Sequence, residues 1–261
     1  MKRLCPALVF LVSLANSMPA QTNTAPLPPL EVVLQRTLAR AATEDDNDHE
    51  FNRHYSYTKV RVTEFRNTKG ELKSSEEKRS AEGVKPKMTG QPAPPPPPKP
   101  VETNAPLSET HSNIRGKTLQ VKDYSLTNLA TRFQFTLVGR EVVNGRPSLV
   151  LDFKPTDKTQ PIHNYKDRFI NKAAGRVWVD EADYAIAKAN LHLSQPVSVL
   201  GGLVGSVKKF TYSFDRERTP EGYWYASHVD WHLEGREVIF HRVVDYHERK
   251  FDAQRVLQAT R

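Results

Sequence analysis

The sequence contains a single cysteine, Cys5, among 261 residues. One cysteine cannot form a disulfide within the chain, so a disulfide-stapled fold and a metal site built on paired cysteines are both excluded. Cys5 also precedes the apolar N-terminal run, whereas the lipid-modified cysteine of a bacterial lipoprotein ends such a run. We therefore predict no lipid anchor and no thiol chemistry in the mature chain.

Motifs of catalytic and nucleotide-binding sites are also missing. The chain has no G-x-S-x-G, G-x-x-x-x-G-K-[ST] or H-E-x-x-H motif. The segment GGLVGSVKK, from Gly201 to Lys209, has glycines and lysines at the wrong spacing for a phosphate loop, and no helical pattern follows it. We interpret it as a flexible apolar loop at the mouth of a sheet. We predict that the protein is not an enzyme, with no catalytic residues, no cofactor and no metal.

No apolar run is long enough to cross a bilayer core of about 30 Å as a helix. The run from Leu8 to Leu14 follows Lys2 and Arg3 and precedes small residues up to Ala20, which is typical of a secretory signal peptide. We predict a signal peptide over residues 1–20, cleaved after Ser17 or Ala20. The mature protein is then periplasmic or secreted, with a single domain over residues 21–261.

The net charge of the chain is +8, and it falls to +6 when Lys2 and Arg3 leave with the signal peptide. A basic exported protein can meet anionic envelope surfaces, but an excess of this size is also common for solubility alone. A polyanion partner therefore stays an alternative. No basic and aromatic recognition motif is present, so we predict no nucleic-acid partner.

Prolines are concentrated between Pro86 and Pro106, with five in succession from Pro94 to Pro98. Proline lacks a backbone amide donor and favours an extended, solvated polyproline conformation. We predict a proline-rich insertion over residues 86–106 that is an exposed linker. Recognition by a proline-binding partner is the alternative.

The segment before this insertion predicts one helix and one hairpin. Apolar residues recur at helical spacing from Leu30 to Ala41, directly after two prolines, and predict an amphipathic helix. Tyr55 to Phe65 alternates like a strand, and a strand from Glu71 to Ser80 returns, polar on both faces and therefore at a sheet edge. A four-residue loop places Phe65 opposite Leu72 and Arg61 opposite Glu76.

The second half predicts a series of antiparallel strands around one central pair. That pair is GRVWVDEADYAIAKANLHL, from Gly175 to Leu193, in which two alternating segments flank an acidic turn. Before it, a hairpin turns at Asn144-Gly145, with a bulge predicted at Gly139. After it, a strand carries Phe210, Tyr212 and Phe214 on one face.

The last hairpin is predicted to turn at Glu234-Gly235, which places Trp231 opposite Val238 and His228 opposite His241, with a frayed tail after Lys250. His228, Asp230 and His232 alternate on one face and suggest a metal site. However, His228 and His232 are about 13 Å apart along a strand, whereas a zinc–nitrogen bond is about 2 Å. We interpret these residues as a solvated outer face.

The runs NGRPSLVLDF (Asn144 to Phe153) and GRVWVDEADYAIAKANLHL, the glycine-rich segment and the final hairpin resemble the LolA/LolB-like proteins of the outer-membrane lipoprotein-sorting family. The resemblance covers Phe133 to Lys250, and the proline-rich insertion is a departure from the simple carriers. It implies an incomplete antiparallel β-barrel around a hydrophobic cavity that is partly closed by helices. In that family the cavity receives acyl chains of lipoproteins or related lipids.

We therefore expect a mainly β (α+β) fold, a curved antiparallel sheet or incomplete barrel whose concave face is covered by the N-terminal helix. Eight residues are candidates for a cavity lining, with ordinary core packing as the alternative: Trp178, Leu191, Leu193, Leu200, Leu203, Phe210, Tyr212 and Trp231.

The expected function is the non-enzymatic binding or carriage of a lipid or lipoprotein acyl chain in the bacterial cell envelope. We expect a monomer in transient contact with the envelope membrane or with lipoproteins. The alternative is an envelope interaction module with a filled core that binds a protein or polyanion.

Overall fold

The computed structural model of the protein describes residues 25–83, 131–157, 160–162, 165–199, 205–237 and 240–256. The predicted signal peptide and the proline-rich insertion lie outside these ranges. The strands are β1 (Tyr55–Arg66), β2 (Leu72–Gly83), β3 (Phe133–Val143), β4 (Arg146–Pro155), β5 (Ala173–Asp180), β6 (Ile186–Leu193), β7 (Val197–Val199), β8 (Gly205–Arg218), β9 (Trp224–Glu237) and β10 (Phe240–Arg255). The helices are α1 (Leu30–Ala41), α2 (Glu44–His54) and α3 (Tyr165–Ile170).

All ten strands belong to one curved antiparallel sheet in the order β2-β1-β10-β9-β8-β6-β5-β4-β3, with β7 pairing to β8 alongside this path. The sheet is open, and β2 and β3 form its edges. The mainly β prediction with an N-terminal helix is confirmed, as is the edge position of the polar strand β2. No helix in the described ranges is long and apolar enough to span a membrane.

The central pair predicted from Gly175 to Leu193 is the β5–β6 hairpin, in which Val177 pairs with Ala189. Its acidic turn is held by Asp180, whose carboxylate accepts hydrogen bonds from the backbone amides of Ala182 and Asp183 at 3.1 and 2.8 Å. The preceding β3–β4 hairpin turns at Asn144-Gly145, where both residues have positive φ, as a tight hairpin turn requires. The predicted bulge is confirmed between Leu137 and Gly139.

Two predicted registers are wrong. In the first hairpin Phe65 pairs with Ser74 and Arg61 with Lys78, because the loop is one residue longer than predicted and the register shifts again between Phe65 and Arg66. In the last hairpin β9 continues past Glu234-Gly235 to Glu237, so Trp231 pairs with Tyr246 instead of Val238. The predicted frayed tail is part of β10, which continues to Arg255 because β1 pairs with it along its length.

The helices pack on the sheet at two places. α1 begins and ends as predicted, and its Val33 packs with Leu149, Leu151 and Val179 in a buried cluster. The second helix, α2, is not predicted by the sequence pattern; it follows α1 almost directly and buries Asn47 and Phe51. Phe51 stacks on Tyr225, with ring centroids 4.6 Å apart, and packs with Tyr55 and Tyr57 of β1.

Candidate ligand-binding face

The sheet has one face against which α1 packs, called here the inner face, and an opposite outer face. Val179 lies on the inner face because it contacts Val33 of α1. Side chains two residues apart on a strand, and side chains of paired residues, share a face. Val177 and its partner Ala189 therefore also lie on the inner face, and so does Leu191, two residues further along β6.

Four side chains form a continuous row across the inner face, called here the inner row. Leu191 pairs with Tyr212, Tyr212 with Trp231, and Trp231 with Tyr246, so the row crosses β6, β8, β9 and β10. The rings of Trp231 and Tyr246 stack, with centroids 5.2 Å apart and planes 11° from parallel. All four side chains are only half-buried. Large apolar groups on the inner face therefore still reach the surface.

A second apolar row lies beside the inner row on the same face. Phe210 pairs with Leu233, Leu233 with Val244, and Val244 with Phe65, and each of these side chains is half-buried. Leu193, two residues beyond Leu191, continues this row onto β6. Together the inner row and this second row form an apolar strip, two side chains wide, across the middle of the sheet.

Charged residues border the inner row where it reaches β10 and β1. Tyr246 Oη donates a hydrogen bond to Glu248 at 2.8 Å, and Arg61 Nε donates to the same carboxylate at 2.9 Å. Lys59 forms an ion pair with Glu82 at 2.5 Å. Burial raises the pKa of Tyr212 to about 12, with a smaller contribution from the negative charge of Glu248. On this side the neighbouring row begins with the apolar Phe214 and Val229 on β8 and β9 and ends with the charged Glu248 and Arg61 on β10 and β1.

The outer face carries the histidines that suggested a metal site. His232 lies 2.6 Å from Asp245 and 2.8 Å from Glu234, and the imidazole of His247 contacts Asp230. The predicted pairing of His228 with His241 is wrong, because β9 is shifted and His228 faces Arg249. Among the described residues, no three potential ligands are close enough together to hold a metal ion. This part of the outer face is a ladder of contacts between histidines and carboxylates.

Two clefts lie away from the inner row. One, of about 280 Å³, is lined by Asn144, Arg146, Arg216, Glu217, Arg218 and Trp224. Its three arginines contact the carboxylates of Asp180, Glu44 and Asp183, so their charges are compensated. The other, of about 400 Å³, is lined by Asp152, Phe153, Ala174, Gly175, Arg176, Asn190 and His192.

The structure brings together five of the eight residues predicted to line a cavity, namely Leu191, Leu193, Phe210, Tyr212 and Trp231. Trp178 is separated from them, because it pairs with Lys188 on the outer face. Its indole Nε1 donates to Glu141 at 2.7 Å, and the Lys188 ammonium lies over its ring. Leu200 and Leu203 lie outside the described residues.

Sequence reasoning missed Tyr246 and Val244 as members of this face. Both residues fit the alternation of β10. The predicted turn at Glu234-Gly235, however, pairs β10 with the wrong residues of β9. Placing the turn beyond Glu237 would have brought Tyr246 opposite Trp231.

A scan against protein-family models finds no match, and a search of curated proteins finds none either. Solved structures do match. An outer membrane lipoprotein-sorting protein domain from Vibrio parahaemolyticus is 12% identical, with 85% of this chain and 93% of that chain covered and a TM-score of 0.31. A DUF1329 family protein from Desulfovibrio piger is 13% identical, with coverages of 87% and 95% and a TM-score of 0.34.

A LolA superfamily protein from Nitrosomonas europaea is 10% identical, with 90% of this chain and 96% of that chain covered and a TM-score of 0.33. Each of these three structures is thus similar to this chain over most of its length, at low identity and low TM-score.

Proposed function

We propose that the protein is an exported, non-enzymatic binder or carrier of a hydrophobic ligand, a lipid or a lipoprotein acyl chain, in the bacterial cell envelope. The observation that carries the proposal is the apolar strip on the inner face, whose large side chains are half-buried although they lie on the same face as α1. Contiguous apolar surface of this kind is typical of binding sites.

The ligand would be captured by removal of apolar surface from water. Burial contributes about 25 cal/mol per Å², so an acyl chain that loses roughly 300 Å² of exposed area gains about 7.5 kcal/mol before the cost of association. In this proposal α1 borders the bound chain together with β7 and the start of β8, which pair with each other where the sequence suggested a loop from Val197 to Val207. No chemical step is required.

Native mass spectrometry of the mature protein from its own envelope, followed by solvent extraction, tests the proposal. We expect a stoichiometric lipid. Leu191→Lys, which places an ammonium group in the inner row, is expected to weaken binding of a fatty-acyl probe at least tenfold. Asn190→Lys adds the same charge one residue away on the exposed outer face and is the matched control.

An empty protein that also rejects acyl probes would contradict the proposal. The function to pursue would then be that of an envelope interaction module that meets a protein or polyanion through its proline-rich segment or its charged surface.

A further inference from the structure

Two hydrogen-bond donors on the inner row have no partner among the described residues. They are the indole Nε1 of Trp231 and the hydroxyl of Tyr212, which belong to directly paired residues of β8 and β9. The other two tryptophans differ, since Trp178 Nε1 donates to Glu141 at 2.7 Å and Trp224 Nε1 donates to Asp183 at 3.0 Å. The neighbouring Tyr246 hydroxyl donates to Glu248.

These free donors restrict which hydrophobic ligand fits. A pure hydrocarbon chain laid over the inner row would remove water from both donors and replace it with nothing, at a cost of about 1–3 kcal/mol for each group. A ligand that presents an oxygen acceptor at this place avoids that cost. The carbonyl oxygen of an acyl ester has two lone pairs, so it can accept from both donors at once.

The surroundings of the two donors also give the ligand a direction. Phe210 and Leu233 lie on one side of the pair, and Leu193 extends that side onto β6. Phe214 and Val229 lie directly on the other side, and their row ends in the Arg61–Glu248 ion pair on β1 and β10. An acyl ester has the same order of parts, with a hydrocarbon chain, then a carbonyl group, then a polar head.

We propose that the inner row binds an acyl ester, with the ester carbonyl at Trp231 Nε1 and Tyr212 Oη, the acyl chain toward Phe210 and Leu233, and the head group toward Arg61 and Glu248. This inference rests on the proposed function and names the ligand class of the same site.

The test compares two lysophosphatidylcholines of equal chain length below their micellar concentrations, one with a 1-acyl ester and one with a 1-O-alkyl ether. The two lipids differ only in the carbonyl group. Isothermal titration calorimetry is expected to give about fivefold tighter binding of the acyl form for each hydrogen bond formed. Trp231→Phe and Tyr212→Phe keep the rings, so each should reduce this preference, and the double variant should bind both lipids almost equally.

Tyr225→Phe is the control, because Tyr225 lies outside the inner row in the Phe51 cluster and its hydroxyl donates to Glu217 at 2.8 Å, so its loss should leave the acyl preference unchanged. Circular dichroism verifies that every variant is folded. Equal binding of both lipids by the unchanged protein, or a preference that survives in the double variant, would overturn the inference while leaving the proposed function intact. Failure of both lipids to bind would overturn the proposed function itself, and the inference with it.

A synthetic diacylglyceryl-cysteine peptide in the same assay distinguishes the source of the ester. Binding that is tighter than that of the phospholipid and depends on Trp231 supports a lipoprotein source, and the reverse order supports a phospholipid.

Discussion

Asp183 connects the acidic turn of the β5–β6 hairpin to Trp224 and two arginines. Its carboxylate accepts from Trp224 Nε1 at 3.0 Å and from Arg218, and Arg146 lies 3.7 Å away. Burial alone would raise the pKa of Asp183, but these hydrogen bonds and the two positive charges outweigh it and bring the pKa below its usual range.

A pH dependence of stability follows at this residue. A pKa below the unfolded value of about 3.9 means that ionised Asp183 stabilises the fold above that pH, and that the contribution is lost as the pH falls through the folded pKa. Asp183→Asn should therefore lower the free energy of unfolding by about 1–2 kcal/mol at pH 7 and make its decline below about pH 5 shallower.

Urea unfolding followed by circular dichroism from pH 7 to pH 3 measures both effects. Asp157→Asn also removes one negative charge, from an exposed loop position, and is the control. A variant as stable as the unchanged protein at pH 7 would show that the carboxylate does not hold this cluster together.

The sheet face on which a side chain lies was predicted correctly where alternation along a single strand is enough to determine it. Phe210, Tyr212 and Phe214 share a face because they are two residues apart, whatever strand lies beside them. Trp178 and Leu191 lie on different strands, and whether they share a face depends on which residues pair. The pairing of Gly175 with Leu191 puts Trp178 on the other face, and no local pattern in the sequence contains that information.

At the scale of elements, β5 and β6 approach so closely at Gly175 that no side chain fits there. A Cβ atom at this position would lie 2.1 Å from the backbone oxygen of Asn190 and 3.0 Å from Leu191 Cα. Both are backbone atoms, so the strands themselves would have to move.

Gly175→Ala is therefore expected to lower the free energy of unfolding by about 1–3 kcal/mol through overpacking. Gly139→Ala is the matched control, because a Cβ atom at the β3 bulge meets nothing within 4 Å. Urea denaturation of the two variants provides the comparison. Equal stabilities would show that the strands are not in close contact at Gly175.

The elements themselves were predicted unevenly, for physical reasons. α1 was found because Leu30, Val33 and Leu34 make a clear helical stripe. α2 was missed because its first turn is acidic and it buries only Asn47 and Phe51.

The Asn144-Gly145 turn was found because its residues favour positive φ, whereas Glu234-Gly235 was mistaken for a turn. Gly235 instead lies in close contact with β8, since a Cβ atom at this position would be 2.6 Å from the backbone oxygen of Ser206.

At the scale of the whole molecule, the open sheet leaves β2 as an edge strand. Nine of the twelve residues of β2 are exposed, and its only large apolar side chain is Leu72, which is 53% exposed. Charged side chains on an edge strand, lysines above all, oppose pairing with the edge of another molecule.

Replacing Lys73 and Lys78 by valine is expected to produce concentration-dependent association through this edge. Light scattering coupled to size-exclusion chromatography measures it. Lys73→Gln with Lys78→Gln removes the same charges without adding β-branched apolar groups and should associate less. A valine variant that remains a single species at high concentration would show that charge does not protect this edge.

The place of β1 in the sheet determines when the fold can be completed. β1 pairs with β2 on one side and with β10 on the other, so Tyr55 meets Arg255 near the other end of the chain. Contacts so distant in sequence form slowly, because a long loop must close first. During synthesis, the N-terminal hairpin must therefore remain beside an unfinished sheet until the last described strand has been made. That interval is when it is most exposed to proteases and chaperones.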